Sequence, residues 1–285
     1  MPPAGNTRQE FLREGTSQAT KKTRKFFAIC ATVAPFYSAT IDSDRGGVAA
    51  PIRTTMLTLF HHQLCPHSRY VRLIFGEYGI AARLVEERFW ERRDEFLLLN
   101  PAGELPVLVT EGEPPIPGAG IVAEYIEETH LGQSGEDRLL PPQPGRRVEV
   151  RRLANWFNYK FHAEVSGPLV TERALKRYMT QEQGGGPPDT EALRAARHNI
   201  RYHLAYIGWL VRTRDWLAGD RLSLADLAAA AHLSAADYLG EVPWNEDEAA
   251  KNWYARVKSR PSFRTILADA LAGLPPSKTY TDLDF

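Results

Sequence analysis

Cysteine is scarce in this chain: there are two, Cys30 and Cys65, among 285 residues. Two thiols cannot build a disulfide framework, so a reducing compartment is the default setting. Long apolar runs are missing as well. None reaches the roughly 20 residues that a spanning helix needs, so no direct membrane insertion is expected. An excess of either charge is also absent, with 35 Lys and Arg against 35 Asp and Glu. That balance argues against a bulk nucleic-acid or anionic-membrane surface. No internal repeat is visible. What is present is enough chain for two domains, each with its own core.

The chain is organised around residues 57–106. A short apolar run at 57–60 leads through a loop, His61-His62-Gln63-Leu64, into Cys65-Pro66-His67-Ser68. Val71, Ile74, Phe75 and Tyr78 then recur at the spacing of one helix face, and Gly79 is a natural stop. A strand over 83–89, a short helix over 92–99 and a strand from Val107 follow. Strand, helix, strand, helix, strand, with a Cys where the first strand meets the first helix, is the layout of a thioredoxin-like unit. Pro106 is expected to be cis, because a Pro opening a buried strand needs a special geometry. A hairpin then leads to a very short strand near Ile116 and a helix to about Glu128.

Residues 1–55 look foreign to the rest. A basic patch at 21–25 precedes an apolar stretch at 26–34, which resembles a secretory signal but lies well inside the chain. Met56 stands just before the first strand. The expectation is a disordered or mis-annotated leader, with translation starting at Met56.

The expected division is a thioredoxin-like domain over 56–131, a Gly- and Pro-rich linker over 132–145, an all-helical domain over 146–272 and a tail over 273–285. The helical part begins with a helix over 147–165 carrying Leu153, Trp156, Phe157 and Phe161. Gly184-Gly185-Gly186-Pro187-Pro188 breaks the chain, and Asp189 or Thr190 caps a long helix through Arg212. Ser223-Leu224-Ala225-Asp226 is a capping box: the hydroxyl covers the first helical N–H groups and the carboxylate reaches back. A structural role for Asp226 is expected. His61, His62 and His67 fit no common zinc spacing, so they read as a loop of solvated histidines, with no metal.

These pieces together resemble the glutathione transferase superfamily over 56 to about 270. The residues that carry the resemblance are Ser68-Arg69-x-Val71-Arg72-Leu73, Leu99-Asn100-Pro101-x-Gly103-x-Leu105-Pro106-Val107-Leu108 and Ser223-Leu224-Ala225-Asp226. The resemblance implies the glutathione transferase fold: an α/β thioredoxin-like N-terminal domain plus an all-α C-terminal domain. It also implies a cytoplasmic, usually dimeric protein. Leu105 and Pro106 would mark the glutathione-backbone position. Cys65 matches the catalytic position of thiol-type members. A thiol at a helix N-terminus has a physical reason to be reactive, since the unpaired N–H groups and the dipole favour thiolate. Ser68 is the other catalytic candidate, through a hydrogen bond to a glutathione thiolate.

One departure weighs against that chemistry. Family members carry an acid followed by Ser before the third helix of the first domain, to hold the γ-glutamyl end of glutathione. Here Gly118 and Ala119 stand there. Losing one charge-assisted contact costs about 1.5–3 kcal/mol. No cofactor is therefore expected, with glutathione kept only for the enzyme reading.

A subgroup resemblance is more specific. Glu86-Glu87-Arg88-x-Trp90-Glu91-Arg92-Arg93, Asp237-Tyr238-Leu239-Gly240-Glu241-Val242-Pro243-Trp244, Lys258-Ser259-Arg260-Pro261-Ser262-Phe263-Arg264 and Tyr280-x-Asp282-Leu283-Asp284-Phe285 are similar to the FtsZ-binding, glutathione-transferase-like division proteins of alphaproteobacteria (the FzlA family). That resemblance implies a homodimer at the division site that binds the FtsZ polymer, shapes its filaments and helps activate cell-wall synthesis, through regulators of that synthesis, without transferase activity. Trp90, Glu91 and Arg92 would then face a protein, Trp and Arg being types enriched at interface hot spots. Asp282, Leu283, Asp284 and Phe285 would make a second contact, either captured by a partner or folded back on the domain. The alternative is a glutathione-dependent transferase or thiol transferase using Cys65 or Ser68.

Overall fold

The computed structural model describes residues 57–129 and 138–282. The expectations for the leader, for Met56 as the start, for linker residues 132–137 and for Leu283, Asp284 and Phe285 lie outside that range.

The first domain is a four-stranded sheet in the order β2-β1-β3-β4: β1 (Leu57–His61), β2 (Ala82–Glu86), β3 (Val107–Val109) and β4 (Ile116–Pro117). β1 runs parallel to β2 and antiparallel to β3, and β3 runs antiparallel to β4. β1 alternates buried and half-buried residues, with Leu57, Leu59 and His61 inward. That period-two pattern is what a strand covered by helices requires. Helix α1 (Pro66–Tyr78) buries Val71, Ile74 and Phe75, and Gly79 ends it at φ 63° with its N–H on the Phe75 carbonyl. The Leu105–Pro106 peptide is cis, as expected.

Two boundaries move. The second strand stops at Glu86 rather than 89, because residues 89–91 form a single 3-10 turn that swings Trp90 inward. Helix α2 (Asp94–Leu99) starts at Asp94, since Arg92 sits at φ 47°, outside helical geometry. Helix α3 (Ala119–Thr129) closes the domain.

The second domain contains α4 (Pro144–Asn155), a π-helical stretch (Trp156–Ser166), α5 (Gly167–Arg173), α6 (Thr190–Val211), α7 (Leu224–Tyr238) and α8 (Glu248–Lys258). Two short helices, α9 (Arg264–Leu267) and α10 (Lys278–Thr281), follow. α4 begins two residues inside the expected linker, whose Leu139 and Leu140 are already buried. Helix α8 ends at Lys258, and Pro261 soon after starts a tight turn. Asp189 caps α6 by accepting from the N–H groups of Glu191 and Ala192.

Helix α7 is the core of the molecule: every residue from Leu224 to Tyr238 is buried. Its small side chains let six helical segments approach it. Asp226 closes the capping box, accepting from Ser223 N–H at 3.0 Å, and also accepts from Leu217 N–H (2.9 Å) and Trp253 Nε1–H (3.0 Å). Four donors on one buried carboxylate, the Ser223 hydroxyl included at 2.8 Å, explain why an acid is tolerated there. The two domains are latched by Glu77 on α1, which accepts from Arg260 at 2.7 and 2.6 Å and from the Ser262 hydroxyl at 2.5 Å. At Gly76, a Cβ would stand 2.8 Å from Ser262 Cα, so the close crossing of α1 over the 261–263 turn requires glycine. Among the described residues no helix is long and apolar enough to cross a membrane.

Candidate functional site

A cavity of about 850 Å³ opens between the two domains. From the first domain it receives Cys65, His67, Leu105 and the bare corner Gly118-Ala119-Gly120; from the second, Asn158, Tyr159 and His162 on the π-helical stretch. The wider turn of a π-helix, about one extra residue per turn, rotates these three toward the cavity. Sequence periodicity gave no sign of that widening.

Cys65 is the N-cap of α1, half-buried at the cavity wall. Burial pushes its thiol up, but the hydrogen bond and charge of His67, together with hydrogen bonds from Ser68, outweigh burial and hold it below the ordinary thiol value. His67 moves the other way. Burial works against its charge, yet the hydrogen bond and charge of Cys65, the Asn158 carbonyl and the Glu104 carboxylate raise it. His67 Nε2 donates to the Asn158 carbonyl at 2.9 Å.

The histidines are not the solvated loop expected. His61 and His62 are buried, and burial lowers both to about 4, helped by Arg72 and Arg69 respectively. His67 packs edge-on against His162 at 4.4 Å and His232 at 5.0 Å. Ser166 Oγ bridges His162 Nδ1 (3.2 Å) and His232 Nδ1 (2.8 Å), and His232 Nε2 donates to Asn158 Oδ1 at 3.2 Å. Burial and the His67 charge lower His162 to about 4 and His232 further. Of the three rings, His67 is the one whose affinity for a proton is raised. Among the described residues, no group of three or more His, Cys, Asp or Glu side chains is placed to hold a metal ion. Sequence reasoning missed Asn158, His162, Ser166 and His232. The visible signal was His232, a titratable ring between Ala231 and Leu233 in the apolar middle of a buried helix.

Ser68 is corrected. It is fully buried, outside the cavity wall, and its hydroxyl is occupied by His62 N–H at 3.4 Å and by Cys65. It cannot reach a ligand's thiolate without breaking the loop that places Cys65. Leu105 lines the cavity, whereas the Pro106 carbonyl accepts from Gly118 N–H at 2.9 Å.

Trp90 is corrected too. At 9% exposure it packs inward, edge-on to His62 and Phe89, each at 5.3 Å. Glu87 beside it is buried and held by Arg93. Glu91 and Arg92 are exposed, as are Arg88 and Arg93 of the same loop.

The tail folds back on its own domain. Ser277 donates its hydroxyl to the Asp237 carbonyl (2.6 Å), and Thr279 donates to Asp237 Oδ1 (2.8 Å). Lys258 Nζ donates to the carbonyls of Thr279 (2.5 Å) and Asp282 (2.6 Å). The Tyr280 ring is fully buried, with Arg69 over it at 5.4 Å and its hydroxyl on the Ile266 carbonyl at 2.6 Å. Asp282 is exposed.

Comparison with known proteins fits this geometry. Residues 59–134 match the model of the glutathione S-transferase N-terminal domain, and residues 168–261 match that of the C-terminal domain. FtsZ-localized protein A of Caulobacter vibrioides is 48% identical over 80% of this chain and 98% of its own. The chain belongs to the glutathione S-transferase family. Within that family, a solved glutathione S-transferase from Sinorhizobium meliloti superposes with a TM-score of 0.79 at 52% identity, covering 81% of this chain and all of that one. FzlA from C. crescentus superposes with a TM-score of 0.74 at 47% identity and the same coverage. The transferase fold, with its two domains and the cleft between them, is therefore the frame in which the site is read, and the chain groups with FtsZ-localized protein A inside it.

Proposed function

We propose that this chain is a division-site adaptor on a transferase fold, a cytoplasmic homodimer that binds FtsZ filaments and passes a signal to regulators of cell-wall synthesis. The observation that carries the reading is the bare Gly118-Ala119 corner in a chain 48% identical to FtsZ-localized protein A. The fold keeps the cleft but offers no side chain there to an ammonium or a carboxylate. Exposed Ile121, Val148 and Tyr159, at 61–70% exposure, supply apolar surface for a second copy. Glu91 and Arg92 supply a charged rim for the polymer. The test is co-pelleting of the full chain with GTP-assembled FtsZ from the same organism. Saturable co-pelleting with altered filament shape supports the adaptor; no binding at micromolar concentration overturns it.

A second reading is favoured by one observation, the Cys65–His67 pair at the cavity wall. It makes the protein a glutathione-dependent thiol transferase. Glutathione titration decides it, and the absence of glutathione affinity removes it.

A further inference from the structure

Arg69, on α1, is fully buried where the two domains meet, and its side chain touches both domains and the tail at once. Nε donates to the Gln63 carbonyl at 2.7 Å, in the loop between β1 and α1. Nη1 donates to the Ser234 hydroxyl on α7 at 3.0 Å. Nη2 stands 3.6 Å from Asp269 Oδ2, too far for a hydrogen bond. The guanidinium also faces two rings, Tyr238 at 5.6 Å and Tyr280 of the tail at 5.4 Å. Tyr280 and Asp269 together favour its charge against burial. A buried cation with a donor to spare depends on every partner it has, the rings included.

The Gln63 end of Arg69 leads to the rim. Within that loop the Leu64 N–H donates to His62 Nδ1 at 3.3 Å and the Cys65 N–H to the His62 carbonyl at 3.0 Å. The His62 ring stands edge-on to Trp90 at 5.3 Å, and Trp90 belongs to the turn that carries Glu91 and closes at Arg92. Tyr280, Arg69, Gln63, His62 and Trp90 thus form one chain of contacts from the tail to the rim.

The tail end is built to open. Residues 271–274 are anchored: the Leu271 N–H donates to the Tyr238 hydroxyl (3.0 Å), which donates to the Leu274 carbonyl (2.7 Å), and the Tyr178 hydroxyl donates to the Ala272 carbonyl (2.6 Å). Pro275 and Pro276 separate that anchor from residues 277–282, of which Tyr280 alone is buried. Hydrogen bonds to Asp237 and Lys258 hold the rest. A segment with one buried side chain opens more readily than a helix buried along its whole length.

We propose that residues 277–282 are a strap with a seated and a released state, and that Arg69 couples this state to the rim. Seated, Tyr280 keeps the guanidinium in place and Gln63 with it. Released, the strap takes its ring away and lets water reach Nη2. The guanidinium then turns toward the open seat and slackens its hold on Gln63, so the loop at 61–65 and the turn at 89–92 loosen together. The coupling is reciprocal. A protein that captures the strap loosens the rim, and a protein that grips the rim as it stands keeps the strap seated. The device belongs to the chain alone and holds whether or not the partner at the rim is the FtsZ polymer.

The experiment is amide hydrogen exchange, read by mass spectrometry on the full chain without any partner. Tyr280→Ala empties the seat beside Arg69. Exchange in the peptide over 60–66 should then quicken about tenfold, the size expected when a desolvated cation loses its ring. The peptide over 87–93 should quicken with it, while β3, on the other side of β1, should keep its wild-type rate. Arg69→Lys, which cannot hold Gln63 and face the tail ring at once, should quicken the 60–66 peptide by itself and leave Tyr280→Ala nothing to add there. Should Tyr280→Ala fail to fold, Tyr280→Leu keeps apolar bulk in the seat, removes the ring and its hydroxyl, and is read in the same way. Acceleration confined to the seat's own walls, with 60–66 at the wild-type rate, overturns the coupling. Equal acceleration in every peptide overturns it too, because it reports only a weaker fold. Additive effects of Arg69→Lys and Tyr280→Ala at 60–66 would remove Arg69 as the link and overturn the assignment. None of these readings uses FtsZ, so a failed coupling and a failed adaptor are told apart.

Discussion

At the seat of the tail, Lys258 and Asp237 are both fully buried, 3.7 Å apart, and ringed by partners: Trp244, Tyr254 and Thr279 on the carboxylate, two tail carbonyls on the ammonium. At the cavity wall, Cys65 is only partly buried, Gly118 and Ala119 present no polar side chain, and the affinity of His67 for a proton is raised by its neighbours. Both places concentrate polar residues between packed helices. One consumes them in holding the chain together; the other leaves them facing open space. The difference teaches that a motif shared with relatives can be architectural even when it looks like a docking segment.

The sharpest way to break the comparison is to remove one side of the buried pair. Asp237→Ala should destabilise the protein by about 3–5 kcal/mol, because it strands the Lys258 charge in the core. Cys65→Ser should cost less than about 1 kcal/mol, since the site touches the cavity. Chemical denaturation measures both. Equal losses would mean that the two regions are built alike. Trp90→Ala belongs with the buried pair rather than with the rim: it should cost about 3 kcal/mol or more by leaving a hole beside His62 and Phe89. A wild-type melting curve for that variant would return Trp90 to the surface role the sequence suggested.

Acid should act on the cavity side first. His61, His62 and His162 are held at about 4 by burial, and His203 and His232 are lowered by burial as well. Each takes up its proton near 6.5 when unfolded but not when folded, so the stability they confer is lost as pH falls below about 6.5. His67, raised, opposes them, but it is one ring against five. Asp226 and Asp237, raised by burial, also oppose them, closer to the carboxylate range. Stability should drop by at least about 2 kcal/mol between about pH 6.5 and 5. His162→Gln should flatten that slope by up to one proton; an unchanged slope would show that His162 is protonated in the fold.

The elements of the fold were legible where local chemistry decides them. Gly79, Asp189 and the Ser223–Asp226 box end or begin helices by capping rules that need no tertiary knowledge, and Val71, Ile74 and Phe75 mark a buried face by spacing alone. The bare Gly118-Ala119 corner was legible for the same reason, because it is a matter of residue type. What sequence could not show is convergence. Asn158, His162 and Ser166 look like ordinary helix residues until a π-helical stretch turns them toward His67, and His232 meets them from a helix some seventy positions on. Trp90 misled because charged neighbours on both sides suggested exposure, while a single 3-10 turn was enough to swing its ring inward.

Arg92 gives the smallest expected effect on stability and sharpens the comparison most. It is exposed yet holds φ at 47°, where it closes the 3-10 turn with its N–H on the Phe89 carbonyl at 3.3 Å. A side chain in the left-handed region is strained by about 1 kcal/mol, and glycine is not. Nothing about the turn's geometry requires arginine there. If the residue served the fold alone, Arg92→Gly would be favourable or neutral and otherwise silent. The adaptor reading expects a different pair of results: stability raised by about 0.5–1 kcal/mol in denaturation and weaker co-pelleting with FtsZ filaments. Strain retained at an exposed position, with a gain in stability bought by a loss of binding, is how a rim residue differs from the residues of the tail seat. Undiminished co-pelleting in Arg92→Gly would take Arg92 out of the rim and leave Glu91 to be tested alone.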